Sequence, residues 1–382
     1  MVRPGPRRRP HPADVLRATL VGSLQQPPDI GSGWRALPAE VLLRAALEHG
    51  VAPALHLALR GQDDVPAALA EPLHEVYRGQ LFQHLRTLTE LRTVARALDA
   101  AQVRWAAMKG PVLAETLWPR ADLRMYSDLD VVVQPDRLGD ALAALEAAGA
   151  RLLDRNWRLV HEQMRAELTL VLPHGTALDL HWHVVNEAPL RSVFRFPIQR
   201  MLAGTVPAEL PTSTVPVFDP VDTALHLAYH TVHSGGHKLV WFKDFSVALA
   251  APGLDGAELV ERAREQGCEL LLAITLRRAE ALFGRQESLT ARPRKLLWTG
   301  VSDVVARYRP VPQPPDVRFS GQIVHENTRD TSLASLASTF RDARRSRAPR
   351  DWSQPNPLHE DEPDPQARAA YLAAVAAAAP PH

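Results

Sequence analysis

The sequence predicts an α+β fold, in which a small mixed β-sheet is flanked by N-terminal and C-terminal helical regions. Apolar residues recur at helical spacing from Pro38 to Ala100, and helical patterns return after Pro216. Between them lie short β-branched or alternating segments of strand length. The chain therefore divides into a disordered lead (1–12), an N-terminal helical region (13–100), a sheet core (101–205), a C-terminal helical region (206–310) and a proline-rich tail with short helices (311–382).

The elements follow from local patterns. Asp136 is expected to cap a helix that Gly149 ends, and Asp219-Pro220 supplies a cap and a first-turn proline for the next long helix. The predicted strands are 103–108 and 129–133, with a hairpin of 167–172 and 177–183. The predicted helices are 111–117, 136–148, 221–232, two within 256–283, 294–307, 333–345 and a short alanine-rich helix at the C-terminal end, after a loose tail at 348–365.

Composition excludes several classes of protein. The formal net charge of +1 argues against long-range attraction to nucleic acid, although a local basic patch is compatible with it. The single cysteine, Cys268, excludes an internal disulfide framework and a cysteine zinc site, and suits a reducing cytoplasm. We expect no membrane span, because no long apolar run is present. The basic start, Met1 to Pro12, lacks the apolar segment of a secretory signal.

Three carboxylates carry the clearest chemical signal. Asp128 and Asp130 are two residues apart in a predicted strand, so they share one face of it. Such close like charges favour a bound cation, and carboxylate oxygens suit Mg²⁺. Asp179 lies on the polar face of another predicted strand, together with His181. If these strands are neighbours, the carboxylates converge as a two-metal site requires. The alternative is that Asp128 ends a loop, Asp130 caps it and Asp179 is a solvated strand residue.

Several motifs stand out when the chain is taken as a whole. Those in the sheet core are Met108-Lys109-Gly110, Arg124, Ser127 to Val133 and Leu178 to Trp182, and those in the helical second half are His226 to His230 and Trp241 to Phe245. Together they resemble an uncharacterised nucleotidyltransferase family of the polymerase-beta-type nucleotidyltransferase superfamily. The resemblance covers roughly Leu81 to Leu249.

The resemblance implies metal-dependent transfer of a nucleoside monophosphate from a nucleoside triphosphate, such as ATP, to an acceptor hydroxyl. By resemblance, Asp128 and Asp130 bind both metal ions, Mg²⁺ or Mn²⁺. Asp179 is the third carboxylate, which orients the acceptor hydroxyl and its metal. The acceptor is a small molecule, a peptide or protein, or an RNA end, the last being the least favoured because of the near-neutral charge.

The phosphate-binding turn departs from the superfamily pattern. The usual Gly-Ser or Gly-Gly is replaced by Lys109-Gly110-Pro111, and proline has no N–H to offer a phosphate. Lys109 is the natural substitute, and Arg124 could bind the same triphosphate bidentately. The alternative for both is solvation or a salt bridge to the aspartates. The predicted substrate-binding set is Lys109, Gly110, Arg124, Ser127 and His181.

Two other functions fit parts of the sequence. His226, His230 and His233 share a helix face, a spacing that also suits a histidine-metal hydrolase, with Asp222 one turn earlier. The unusual turn would fit an inactive nucleotide-binding scaffold in a biosynthetic complex. Trp241 and Phe245, four residues apart, are expected to be core residues rather than a base-stacking platform.

Overall fold

The computed structural model describes residues 11–287, 289–294, 356–359 and 364–378 of the 382-residue chain. The first part is helical, as the sequence predicts. Its helices are α1 (Pro12–Ser23), α2 (Ala39–Glu48), α3 (Ala52–Leu59) and α4 (Ala67–Ala100).

The middle of the chain forms a mixed sheet that has seven strands within the described residues. The strands are β1 (Trp105–Ala107), β2 (Asp128–Val133), β3 (Arg151–Leu152), β4 (Glu167–Val171), β5 (Ala177–His181), β6 (Val206–Glu209) and β7 (Thr214–Val217). The order across the sheet is β3-β4-β5-β2-β1-β7-β6. The β2–β5 and β1–β7 pairs are parallel and the other pairs are antiparallel.

Helices connect these strands and cover both faces of the sheet. Those within and after the sheet region are α5 (Pro111–Thr116), α6 (Leu138–Ala147), α7 (Trp157–Gln163), α8 (Ala188–Arg191), α9 (Ile198–Ala203), α10 (Pro220–His233), α11 (Leu239–Leu249), α12 (Gly256–Glu265), α13 (Glu269–Phe283) and α14 (Pro365–Ala377). None of the described helices has the length and apolar character needed to cross a membrane.

The alternation of side chains along β2 separates two hydrophobic cores. Leu129 and Val133 point into a core that includes residues of α4, α6 and α14. Val132 points the other way, into a core built with α10 to α13. Asp128 and Asp130 lie on the same face as Val132, so the carboxylates point toward the C-terminal helical layer. A third core joins α1 to α4 with the start of α11.

A buried carboxylate on α4 fixes the hairpin between β4 and β5. Glu90 is 1% exposed, and its two oxygens accept from the backbone N–H groups of His174 (2.6 Å) and Thr176 (3.2 Å). The carboxylate therefore satisfies two donors of the turn that would otherwise be left without partners. This contact sets the position of β5, the strand that carries Asp179.

Most of the predicted elements are confirmed. The hairpin, the two helices within 256–283 and the alanine-rich C-terminal helix are present, and Asp219 caps α10 by accepting from Asp222 N (2.8 Å). The sequence did not predict β3, β6 and β7, whose two to four residues each give almost no alternation to detect.

One local prediction was wrong. Asp136 lies inside a single 3₁₀ turn, Pro135–Arg137, so α6 begins later and has no side-chain cap; Pro135 starts that turn because its φ is already helical. The helix α1 begins at Pro12, with the His11 side chain as its cap. Residues 1–10, the helices predicted at 294–307 and 333–345, and most of the predicted loose tail lie outside the described residues. The segment boundaries remain predictions.

We expect Glu90→Ala to destabilise the protein by about 1–3 kcal/mol, because it leaves two backbone donors of the hairpin without acceptors. Urea denaturation monitored by circular dichroism measures this loss. Glu71→Ala, an exposed position on the same helix, should change stability by less than about 0.5 kcal/mol. Equal stability of the two variants would contradict the role assigned to Glu90.

Candidate active site

The parallel pairing of β2 with β5 places the three predicted carboxylates on one face of the sheet. Asp130 is directly opposite Asp179, and Asp128 is opposite Ala177. Asp130 is 2% exposed, whereas Asp128 and Asp179 are half-buried. The strands are therefore neighbours, which is the condition on which the convergence of these side chains depends.

Charge repulsion and burial divide the three carboxylates into two kinds. Burial, and then the neighbouring Asp130, raise the pKa of Asp128. Burial, and then Glu167 on the adjacent strand, raise the pKa of Asp179 well above its usual value. Burial would also raise the pKa of Asp130, but Lys109 and His181 outweigh it and hold that pKa well below its usual range. Asp130 is thus the firmly ionised member.

Lys109 supplies the counter-charge for Asp130. Its Nζ lies 2.7 Å from Asp130 Oδ1, and its side chain is 15% exposed. Burial opposes the charged form, yet Asp130 and Asp128 together raise the pKa of Lys109 above its usual value. Lys109 thus forms a salt bridge to an aspartate, which is the alternative that the sequence left open. It also lines the cavity beside the carboxylates of β2.

Gly110 makes the turn between β1 and α5 possible. Its φ of 56° and ψ of −127° are accessible almost only to glycine. A Cβ atom at this position would lie 2.9 Å from the backbone oxygen of Asp128, so the turn packs directly on the start of β2. Pro111 is the first residue of α5, where a missing N–H matters least.

Arg124 has protein partners for its guanidinium. Nε and Nη2 each donate to Asp244 over 2.8 Å, and Nη1 donates to the carbonyl oxygen of Gly110 over 3.0 Å. The side chain is buried, at 5% exposure. Burial opposes its charge, but Asp244 raises the pKa of Arg124 above its usual value. The guanidinium is thus engaged within the protein, and Arg124 also lines the cavity beside the carboxylates of β2. Its predicted role in phosphate binding stays a prediction.

His181 lies between two carboxylates. Its Nε2 is 3.4 Å from Asp130 Oδ1 and its Nδ1 is 3.8 Å from Glu167 Oε2. Neither nitrogen makes a well-aligned hydrogen bond, although both are buried. Burial lowers the pKa of this imidazole, but Asp130 and Glu167 raise it further, and the net effect is a raised pKa. The two carboxylates therefore favour the protonated form of His181.

The histidines of α10 do not form a cluster of three. Burial, and then Lys109, lower the pKa of His226 to about 3, and the same two causes lower the pKa of His230 well below its usual value. The His230 ring contacts the edge of Trp241, while His233 stacks on Tyr229. Within the described residues, no group of three or more His, Cys, Asp or Glu side chains is arranged to hold a metal ion. This finding applies to the three histidines and to the set of Asp128, Asp130 and Asp179 alike.

A cavity of about 250 Å³ is lined by Asp128 and Asp130, whereas Asp179 and His181 are not among its lining residues. It reaches from the sheet to the N-terminal end of α11, so its walls come from distant parts of the chain. Ser127 is exposed at the start of β2, and Asp128 and Asp130 lie beside it. The cavity is lined by Leu47, Gly50, Lys109, Gly110, Arg124, Met125, Tyr126, Ser127, Asp128, Asp130, His230, Lys238, Val240 and Trp241.

Two lining residues, Lys238 and Trp241, were missed by sequence reasoning. Lys238 Nζ lies 5.3 Å from the centre of the Trp241 ring. Phe245 is fully buried, as expected, but Trp241, one turn earlier, is only half-buried and lines the cavity. Helical spacing assigns both aromatics to one face and cannot tell which end of that face meets a pocket.

The donor atoms of this site suit a hard divalent cation. Asp128 and Asp130 present carboxylate oxygens on one face, and Asp128 borders the cavity. Mg²⁺ commonly binds through one or two carboxylates and takes its other ligands from water and substrate phosphates. A cation at the two carboxylates is therefore compatible with the residues present.

Comparison with known families decides the identity of the chain. The sequence profile of a family described as uncharacterised nucleotidyltransferase matches residues 36–284, which is more than half of the protein. The chain belongs to this family. The family region spans α2 to α13 and includes every residue of the site described above. This nucleotidyltransferase has no match among curated proteins.

Two solved structures are similar to parts of the chain. One is the antibiotic-resistance factor ANT(2'')-Ia, described by its solution structure, with 17% identity and a TM-score of 0.33, covering 47% of this chain and 90% of that one. The other is an antigenic nucleotidyltransferase-like protein from Paracoccidioides brasiliensis, with 16% identity and a TM-score of 0.31, covering 53% and 97%.

We expect Gly110→Ala to destabilise this nucleotidyltransferase more than Gly175→Ala. Both glycines have positive φ, so each substitution strains the backbone by about 1–3 kcal/mol. Only Gly110 also faces a backbone oxygen at 2.9 Å, which should add about 1–3 kcal/mol, while nothing lies within 4 Å of a Cβ at Gly175. Urea denaturation measures both losses, and equal losses would show that the contact with β2 is unimportant.

Proposed function

We propose that this protein transfers a nucleoside monophosphate from a nucleoside triphosphate to an acceptor hydroxyl, with Asp128, Asp130 and Asp179 as its catalytic carboxylates. The observation that carries the proposal is the register of β2 and β5, which sets these side chains on one face of the sheet. Two of them, Asp128 and Asp130, line a cavity that Lys109 and Lys238 also line. Membership of the nucleotidyltransferase family supports the class of reaction.

Asp128 and Asp130 would hold Mg²⁺ or Mn²⁺, with Asp179 beside them as the third carboxylate. When bound, the ion neutralises phosphate charge and polarises the phosphorus centre. The protein contributes position and charge to the reaction, because phosphoryl transfer needs little covalent chemistry from side chains.

The triphosphate would lie against the turn after β1 and the N-terminal end of α11. Lys109 borders this space from the turn, and Ser127 offers a hydroxyl at the start of β2. Lys238 is the third member of the set. Arg124 is engaged by Asp244 and Lys109 by Asp130, whereas Lys238 contacts the face of Trp241 and no ion pair is found for it among the described residues. An ammonium in that situation is suited to phosphate oxygens.

Asp179 would act on the acceptor. In the transfer step an acceptor oxygen attacks the α-phosphorus, the bond to the bridging oxygen breaks, and pyrophosphate leaves. The hydroxyl proton passes to the carboxylate of Asp179, the acidic side chain directly opposite Asp130 in the sheet. Thr169 donates to Asp179 Oδ1 over 3.1 Å and so fixes its orientation. His181 lies two residues further along the same face of β5, beside Asp130.

The acceptor is a small molecule, a peptide or protein, or an RNA end. The formal net charge of +1 favours the first two over RNA. The expected location is the cytoplasm, because a chain with a single cysteine forms no internal disulfide and so suits a reducing compartment. A binding module without catalysis would bind triphosphate yet release no pyrophosphate with any acceptor.

We expect wild-type protein to bind one or more of ATP, GTP, CTP and UTP in the presence of Mg²⁺, and Asp128→Asn/Asp130→Asn to lose at least tenfold in affinity. The double variant keeps the shape of the side chains but removes the oxygen charge that a cation needs. Isothermal calorimetry with and without Mg²⁺ measures the difference. Asp63→Asn, at an exposed position far along the chain, is the control. Binding of the double variant equal to wild type would overturn the metal assignment.

Lys238→Met should weaken triphosphate binding by roughly 10- to 100-fold, because a hydrogen bond to a charged group contributes about 1.5–3 kcal/mol. Lys243→Met, on the same helix, is the matched control, since Lys243 lies over the Phe283 ring, 5.3 Å from its centre, and does not line the cavity. The same calorimetric titration applies. Unchanged affinity in Lys238→Met would remove this lysine from the proposed phosphate site.

A further inference from the structure

We propose that Asp244 of α11 is a positioning residue that, through Arg124 and Trp118, holds both ends of α5 and so fixes the turn that delivers Lys109 to the triphosphate. This inference rests on the proposed function. It assigns a role to a buried carboxylate that contacts neither the cavity nor the three catalytic aspartates.

The carboxylate of Asp244 accepts three hydrogen bonds. It is 1% exposed, and its Oδ1 accepts from Arg124 Nε (2.8 Å) and from Trp118 Nε1 (2.7 Å). Its Oδ2 accepts from Arg124 Nη2 (2.8 Å). A buried carboxylate with this set of partners has one preferred orientation, because any rotation would break a charged hydrogen bond in a poorly solvated place.

The partners of Asp244 lie at opposite ends of α5. Trp118 lies two residues beyond the end of the helix, and its indole N–H donates directly to the carboxylate. The residue before the helix is Gly110, whose carbonyl oxygen accepts from Arg124 Nη1 over 3.0 Å. The guanidinium is planar and rigid, so the Asp244 pair on one edge fixes where the third donor points. One side chain of α11 thus locates the beginning and the end of α5.

The turn before α5 needs such support. Gly110 adopts a backbone conformation outside the common regions, and its carbonyl oxygen makes only a long bond of 3.4 Å with Ala114 N inside the helix. The bond from Arg124 is shorter and charge-assisted, and is therefore the stronger restraint. Lys109 immediately precedes Gly110, so the position of its ammonium depends on this turn.

The same helix also forms the opposite wall of the cavity. Trp241 and Asp244 are three residues apart on α11 and lie on neighbouring positions of its surface. Trp241 lines the cavity directly, whereas Asp244 acts on the far wall through Arg124. Contacts of α11 therefore bear both on Trp241 and, through Arg124, on the turn that carries Lys109.

A double-mutant cycle tests the proposal. The probe is the Mg²⁺ complex of the triphosphate that wild type binds, titrated calorimetrically against wild type, Asp244→Asn, Lys109→Met and the double variant. If Asp244 acts by placing Lys109, Asp244→Asn should weaken binding by about tenfold in wild type and by less than threefold when Lys109 is already methionine. Thermal melting checks that each variant is folded.

Asp222→Asn is the matched control. Asp222 is also buried, at 2% exposure, and lies 3.0 Å from an arginine, Arg262, but it is not connected to α5. Its substitution should change triphosphate affinity by less than twofold. Arg124→Lys is the second variant should Asp244→Asn fail to fold. Lysine keeps the positive charge but cannot donate two parallel hydrogen bonds to Asp244. We expect Arg124→Lys to weaken triphosphate binding by the same factor, and only in proteins that retain Lys109.

The outcomes separate the two claims. Equal losses with and without Lys109, or no loss in either background, would overturn the positioning role while leaving triphosphate binding intact. Absence of triphosphate binding by wild type would overturn the proposed function, and this inference with it. A loss confined to proteins that retain Lys109 would support the assignment.

Discussion

In β2 and β5, Asp130 and Asp179 lie side by side in parallel register, and Asp128 at the start of β2 faces the same way. Like charges so close together, with little water between them, raise the free energy of the ionised state. Sequence-distant groups offset this repulsion. Lys109 reaches Asp130 from the turn after β1, and His181 approaches it from the next polar position of β5. The rest of the site is arranged around this concentration of negative charge.

The negative charges of Asp130 and Asp179 are neutralised to different extents, and their pKa values shift in opposite directions. Asp130 receives both cationic partners, whereas Asp179 faces Glu167 on β4 and receives only a hydroxyl donor from Thr169. One carboxylate is therefore firmly ionised and the other accepts a proton readily. Pairs of acidic groups whose surroundings drive their pKa values apart are typical of catalytic sites. The sheet supplies the geometry of this pair, and its neighbours supply the difference.

The helical layers do more than cover the sheet. Glu90 of α4 holds the hairpin that carries Asp179, and Asp244 of α11 holds the arginine that supports the turn carrying Lys109. In each case a buried carboxylate satisfies backbone or guanidinium donors that would otherwise lack partners. The start of α11 also shares a core with α1 to α4, so the N-terminal and C-terminal helical regions meet next to the cavity. Substitutions in either region can therefore affect the site without contacting a substrate.

The sequence alone determined what depends on neighbouring residues. It located the main strands and helices, the Asp219 cap and the β4–β5 hairpin, because their signals lie within a few residues. It also set Asp128 and Asp130 on one face, since alternation is a property of a single strand.

Only the tertiary structure determined which groups the long charged side chains contact. Arg124 and Asp244 are 120 positions apart in the chain, and no local pattern pairs them. Lys109 contacts Asp130, Lys238 contacts Trp241, and both lysines border one cavity because packing brings the turn after β1 against the start of α11. The short strands β3, β6 and β7 likewise exist through pairing with neighbours rather than through their own sequence. Alternation and capping act over a few residues, whereas charge pairing and burial act through space, and that difference in range separates what could be predicted from what could not.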